Sequence, residues 1–331
     1  DVYKRQVNWH AAATLGSASA SGDVNVVAET VTLEDAIAAD IGQMIAVNLI
    51  ATSGVTLGAA IHTGGGPLQI NADSDGDGSG DLNLAAPFAG GWEQRGLDID
   101  GEAAGDQSGW AVALSDDGNT LAVGARWNDG TGPHAGHVRI YDWSGSSWIQ
   151  RGDDIDGESP TDWSGSSISL SPDGNTLVIG APGNSGSGAV AGQTRVYDWS
   201  GAAWVQRGLD IDGELAGDQS GSSVAVSGDG NTLLMGAPYN DGTGESAGHA
   251  RVYDWSGSAW LQRGLDIDGE ASGDVSGWSV ALSDTGNTLV VGAPYNDGTG
   301  SDAGHARVYD WTGSAWTQRG GDIDAEAAYD W

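Results

Sequence analysis

A 56-residue unit, written out repeatedly, limits the fold of this chain more than any other feature: copies begin at Trp92, Trp148, Trp204 and Trp260, and a fifth opens at Trp316. A fixed period of this length belongs to stacked or circular arrays, in which each unit buries its apolar face against its neighbours. The first copy reads WEQRGLDIDGEAAGDQSGWAVALSDDGNTLAVGARWNDGTGPHAGHVRIYDWSGSS. Within it, short apolar runs alternate with small and polar residues between Gly, Asp, Asn and Ser clusters, the period of half-buried strands. Four strands are expected, over Trp110–Ser115, Thr120–Ala125, Gly136–Asp142 and Ser147–Gly152. Val112 and Leu114 share a face of the first, Leu121 and Val123 a face of the second, and Asp117-Gly118 between them suits a tight hairpin. Four antiparallel strands per unit, with no helix between units, predict an all-β array of propeller blades.

The stretches SGWAVALSDDGNTLAVGA, SGSSVAVSGDGNTLLMGAP and SGWSVALSDTGNTLVVGAP resemble FG-GAP repeats, the blades of integrin-α-type propellers. The Gly-Ala-Pro ending is kept at Gly180-Ala181-Pro182, Gly236-Ala237-Pro238 and Gly292-Ala293-Pro294, while the first copy has Gly124-Ala125-Arg126. The aromatic-Gly opening is altered to Ser-Gly, and the calcium loop carried by many such blades is shortened to an Asp-Gly hairpin. The resemblance covers residues 91–331 and implies a partial propeller of about four four-stranded blades. It also implies an extracellular or cell-surface setting and a non-enzymatic role in adhesion.

Composition narrows the partners. With 46 acidic against 12 basic residues, the formal net charge is −34, so there is no basic footprint for nucleic acid or for an acidic membrane surface. Such acidity keeps a large surface soluble in a salty external medium. No cysteine is present, which removes disulfides and thiolate metal sites. No apolar run is long enough to span a membrane as a helix.

Residues 1–6, Asp-Val-Tyr-Lys-Arg-Gln, match the in-frame translation of a transposon sequencing adapter and are set apart from the fold reasoning. On that reading the chain is a piece of a longer, metagenomic-type reading frame. Residues 7–90 form a second region, with Val/Ile/Leu-rich runs at intervals of a little over 20 residues in VNVVAETVTLEDAIAADI, VNLIATSGVTLGAAIHTG and LQINADSDGDGSGDLNLAAP. These suit rungs of a parallel β-helix and resemble the passenger regions of filamentous-haemagglutinin-like surface proteins. Ile37, Ile41 and Met44 also fall at helical spacing, which leaves a short helix over 33–44 as the alternative.

The sharpest chemical motif is Asp73-Ser74-Asp75-Gly76-Asp77-Gly78-Ser79-Gly80-Asp81. Oxygen donors from Asp73, Asp75, Asp77, Ser79 and Asp81 could converge on Ca2+ at contacts of about 2.3–2.6 Å, with Gly78 allowing the turn. Leu84 at position twelve, where an EF-hand has Glu, speaks against that motif. The pattern is closer to the FG-GAP calcium loop; the alternative is an acidic Gly/Ser turn. A second acidic set recurs in every unit: Asp98, Asp100, Glu102 and Asp106, then Asp154, Asp156, Glu158 and Asp162, and likewise from Asp210, Asp266 and Asp322. Its glycine stands at position four rather than six. The reading preferred for it is structural, with the carboxylates capping the inter-blade loop and pairing with the arginine of Gln-Arg-Gly.

His137, His249 and His305 hold one equivalent position, which is Gln193 in the remaining copy. Equivalent positions on separate blades stand too far apart to share an ion, so satisfied structural histidines are expected. Fifteen Trp accompany a single Phe. Eight are repeated pairs, from Trp143 and Trp148 to Trp311 and Trp316, and read as blade packing. Trp110, Trp127, Trp163 and Trp278 vary between copies, as residues of a grafted ligand site would, the alternative being scattered surface residues without a partner. No G-x-S-x-G, H-E-x-x-H or phosphate loop occurs.

The chain therefore reads as an interaction module whose partner is a protein or glycan of a cell surface or matrix. A carbohydrate-binding propeller and a non-catalytic domain of a secreted enzyme are the alternatives. Open blade edges predict self-association of such an arc.

Overall fold

The computed structural model describes residues 94–328 in full and, ahead of them, the backbone of nine strands between Arg5 and Leu84. Residues 1–4 and the stretch 72–80, with Asp73, Asp75, Asp77 and Ser79, lie outside the described residues, as does the side chain of Asp81. The chain divides into two compact units, Asp1–Gln94 and Arg95–Trp331.

In the first unit, Val24–Leu33 pairs in parallel with Val47–Leu57, which pairs in turn with Leu68–Asn71. Arg5–Asn8 and Ala13–Leu15 run parallel to the first of these, and Asp81–Leu84 to the second. A smaller parallel sheet holds Ala18–Ala20, Ile37–Ala39 and Ile61–His62. Parallel neighbours need a crossover rather than a hairpin. Here each crossover supplies a strand to the other sheet, which is the alternation that β-helix rungs make. Ile37–Ala39 is a strand, so the helical spacing noted around it is not used there. Pairing along Val- and Ile-rich backbone prevails over an isolated helical turn, which is marginal at that length.

The second unit contains four sheets of one build. In the first, Ser108–Leu114, Thr120–Ala125, His137–Trp143 and Trp148–Gln150 form an antiparallel meander, with Leu121 opposite Tyr141 and Trp143 opposite Trp148. The next three sheets begin at Ser167, Ser223 and Ser279 and repeat this pairing. The expected fourth strand, Ser147–Gly152, is shorter than its sequence suggests. It stops at Gln150 and resumes at Ile155–Asp156, and both pieces pair with the third strand. The interruption lets the Arg151 side chain reach the next hairpin, where it donates to the Gly174 carbonyl at 3.0 Å.

Successive sheets pack face to face, first on second, second on third and third on fourth. Ala122, Val138, Ile140 and Ile155 of the first sheet meet Leu170, Leu177, Ile179 and Tyr197 of the second. The same layer recurs as Val178, Val196 and Ile211 against Val226, Leu233 and Met235, and again as Leu234, Val252 and Ile267 against Leu289 and Val291. Burying a side chain such as Leu177 contributes about 2 kcal/mol, so each interface stabilises both sheets that form it. The Trp pairs sit at the outer rim, with ring centroids 5.3 Å apart for Trp143–Trp148 and 5.5 Å for Trp199–Trp204.

Candidate functional site

The repeated acidic set distributes its carboxylates among separate structural partners. Asp154 Oδ1 accepts from Gln150 Nε2 at 2.6 Å, and Asp210, Asp266 and Asp322 do the same from Gln206, Gln262 and Gln318. The backbone carbonyl of Asp156 accepts from Arg195 Nη2 at 2.7 Å. Asp162, 2% exposed, accepts at Oδ2 from the backbone N–H groups of Glu158 and Ser159 and from Asn184 Nδ2. Asp106, Asp218 and Asp274 make the corresponding clamps. The expectation of a backbone-capping loop thus describes Asp106, Asp162, Asp218 and Asp274, the fourth carboxylates among the described residues.

The expected arginine partner is corrected. Among the described residues, the Gln-Arg-Gly arginines face the third strand instead, Arg151 toward Asp142 and Arg207 toward Asp198. They also stack over the Trp pairs, with Arg151 4.7 Å from the Trp199 centroid. The guanidinium that meets the acidic set comes from the third strand: Arg139, Arg195, Arg251 and Arg307 approach Glu102, Glu158, Glu214 and Glu270 at 3.9, 4.0, 3.2 and 3.6 Å. Strand alternation explains the difference, because Arg139 stands two residues from His137 and therefore on the same face of the sheet.

On that face three clusters are assembled among the described residues. Glu102, His137 and Asp154 bring one ligand atom each within 4.8 Å of one another, and so do Glu214, His249 and Asp266, and Glu270, His305 and Asp322. The glutamate comes from the loop entering a sheet, the histidine from its third strand and the aspartate from the break in its outer strand. Sequence reasoning missed these clusters because it compared histidines between copies rather than with the acidic loops on either side. The signal was present in the matched recurrence of all three residue types.

The histidines are buried, with 1% exposure at His137 and His249 and 7% at His305. Burial pushes the His137 imidazole down, against the nearby carboxylates of Asp154 and Glu102. Burial and then the Arg251 guanidinium push His249 down to about 4. The reading of satisfied structural histidines does not hold at His249 and His305, where Nε2 is buried without a hydrogen-bond partner in the protein. Burial also raises the carboxyls of Asp156, Asp212 and Asp268, the same direction and first cause in three sheets.

Of the variable tryptophans, Trp110 is 51% exposed but lies under the Arg126 guanidinium, 3.1 Å from its ring centroid. Trp127 stands edge-on to His134. Trp163 packs against Gly183, where a Cβ would strike its ring. Trp278 is 48% exposed and borders a groove with Pro294, His305 and Ile323. No helix among the described residues is long and apolar enough to cross a membrane.

The FG-GAP repeat family matches residues 97–141 and 266–309, spanning the loop, the first three strands and the cluster glutamate and histidine of two sheets. Comparison with curated proteins gives no match. Among solved structures, the chain is similar to hydrazine synthase of Kuenenia stuttgartiensis, at 16% identity and a TM-score of 0.44, over 72% of this chain and 54% of that one. It is also similar to the periplasmic gluconolactonase of Pseudomonas aeruginosa, at 16% identity and a TM-score of 0.47, over 66% of this chain and 58% of that one. The chain thus spans little more than half the length of these structures. Two stretches that match the FG-GAP repeat and four sheets of one build make the described residues of the second unit an all-β, β-propeller-like array.

Proposed function

We propose that this chain is a non-enzymatic interaction module of a secreted or surface-attached protein, binding a protein or glycan of a cell surface or matrix. The observation that carries the reading is the uniformity of the sheets: four of one build, with the Glu-His-Asp cluster in three of them and the same upward push on an aspartate carboxyl at Asp156, Asp212 and Asp268. A hydrolytic centre needs two titratable groups in unlike environments, whereas these repeat in like ones. The FG-GAP repeats and the net charge of −34 support an extracellular setting. The first unit would belong to the passenger region of a filamentous-haemagglutinin-like surface protein, with Ca2+ held by Asp73, Asp75, Asp77, Ser79 and Asp81.

Immobilised matrix proteins and a glycan array, each probed with labelled chain in calcium and in chelator, test the reading. Retention on at least one protein or glycan, weakened by chelation, is expected. Absence of retention on every surface overturns the interaction role. Retention indifferent to chelation removes calcium from it. In a parallel calcium titration, calcium at about ten times its dissociation constant should add roughly 1.4 kcal/mol of stability. Asp75→Ala should abolish that gain.

A further inference from the structure

We infer that the three Glu-His-Asp clusters are binding sites for a divalent transition-metal ion of the zinc class, and that the second sheet, with Gln193 in place of the histidine, lacks one. In the first sheet, His137 Nδ1 stands 3.7 Å from Glu102 Oε2 and 3.8 Å from Asp154 Oδ2. His249 Nδ1 lies 3.9 Å from Asp266 Oδ2, and His305 Nδ1 lies 3.9 Å from Glu270 Oε2. These separations are too long for N–H···O hydrogen bonds. Donor atoms about 2.0–2.2 Å from one tetrahedral ion stand roughly 3.3–3.6 Å apart, so the three donors of each cluster, now within 4.8 Å of one another, close around a metal by moving together by up to about an ångström.

The second sheet supplies the comparison. There Gln193 Nε2 donates to Glu158 Oε2 at 3.1 Å, a direct hydrogen bond where the imidazoles stand 3.7 to 3.9 Å from their carboxylates, although Gln193 Oε1 is also buried without a partner. An Nδ1 held in a buried strand and facing carboxylates at 3.7 to 3.9 Å, beyond hydrogen-bond reach, is an arrangement that a cation completes. One imidazole among the donors selects the ion class. Calcium and magnesium take oxygen ligands, whereas imidazole suits zinc, copper, nickel and iron. The glutamate is oriented from behind by an arginine, as at Arg251 Nη1 to Glu214 Oε1, an outer-shell contact that limits its rotation.

The site is distinct from the proposed calcium loop at 73–81 and independent of the adhesion reading. The test is equilibrium zinc binding to the full chain after chelator treatment, with cobalt(II) absorption as the report of nitrogen-containing coordination. Stoichiometry is read as the difference between variants, so that binding elsewhere on the chain cancels. His137→Gln, His249→Gln and His305→Gln should each remove one ion while remaining folded, because glutamine already occupies the equivalent position at Gln193. Gln193→His should add one, beside Glu158 and Asp210. About a hundredfold excess of calcium should leave the cobalt spectrum unchanged. Unchanged stoichiometry in all four variants, or displacement of cobalt by calcium, overturns the inference. Unfolding of a glutamine variant, seen by circular dichroism, would contradict the stated equivalence; the gain at Gln193→His then decides the inference alone.

Discussion

At Asp162, one carboxylate oxygen accepts from two backbone N–H groups and one side-chain amide while being 2% exposed. Removing it leaves buried donors without a partner, so Asp162→Ala should cost about 3 kcal/mol in denaturant unfolding. Gly180 is limited by a different force, close approach of backbones. A Cβ there would run into the Gly221 carbonyl oxygen of the next sheet, while at the equivalent Gly292 it would meet only Ser279 of its own sheet. Gly180→Ala should therefore be about 2 kcal/mol more destabilising than Gly292→Ala in paired unfolding curves. Equal losses would mean that the inter-sheet approach is slack.

The hairpin between the first two strands is the element in which local chemistry is most complete. In the second sheet, Asp173 accepts from Ser171 Oγ at 2.6 Å, from the Asn175 backbone at 3.0 Å and from its side chain at 3.1 Å, and Gly174 takes a φ of 70° that favours glycine. Burial raises the Asp173 carboxyl, but the Ser171 and Asn175 hydrogen bonds together outweigh it and hold it below its usual value. Asp229 follows the same pattern with Ser227 and Asn231. A carboxyl depressed in the folded state adds its stability in full above the unfolded pKa, near 3.9, and loses it as the pH falls through the folded value. The melting temperature of the wild type should exceed that of Asp173→Ala near neutrality, and the gap should narrow below about pH 4. A gap independent of pH would assign the stabilisation to turn geometry rather than charge.

Across the whole array, identical positions differ in burial according to which neighbour they have. Ile155, Ile211 and Ile267 are 7%, 6% and 5% exposed, but Ile323 is 61% exposed. On the opposite face, Leu170 and Val226 are 9% and 8% exposed, but Leu114 of the first sheet is 55% and Val112 63%. These two faces are the two halves of an interface that the chain already forms three times. A second copy docking head to tail would bury both, and such a heterologous contact extends into chains or rings. The expected outcome is a mass that rises with concentration in analytical ultracentrifugation. Val112→Lys with Leu114→Lys blocks one face and Ile323→Asp the other. Each variant alone should be monomeric, and an equimolar mixture should stop at a one-to-one dimer. A monomeric wild type at high concentration would show that exposed apolar area of this size does not suffice.

The period, the all-β class, the strands and the Asp-Gly hairpins were legible in the sequence, because alternation and turn chemistry act between residues a few positions apart. Asp117-Gly118 and its copies carry their own instructions for reversing the chain. The distribution of the acidic loop was not legible in the same way. Asp98, Asp100, Glu102 and Asp106 have the spacing of a calcium loop, yet in the folded chain Glu102 faces His137 while Asp106 accepts from the Ala103 backbone and Asn128. Glu102 meets Asp154 only because His137 lies between the loop entering the sheet and the break in its outer strand. Ile155 and Ile323 make the same point about the core, being the same residue within the same Asp-Ile-Asp triplet, the first covered by a following sheet and the second 61% exposed. Local order follows from near neighbours along the chain, whereas convergence of donors and burial are properties of surfaces that meet only once the sheets have packed.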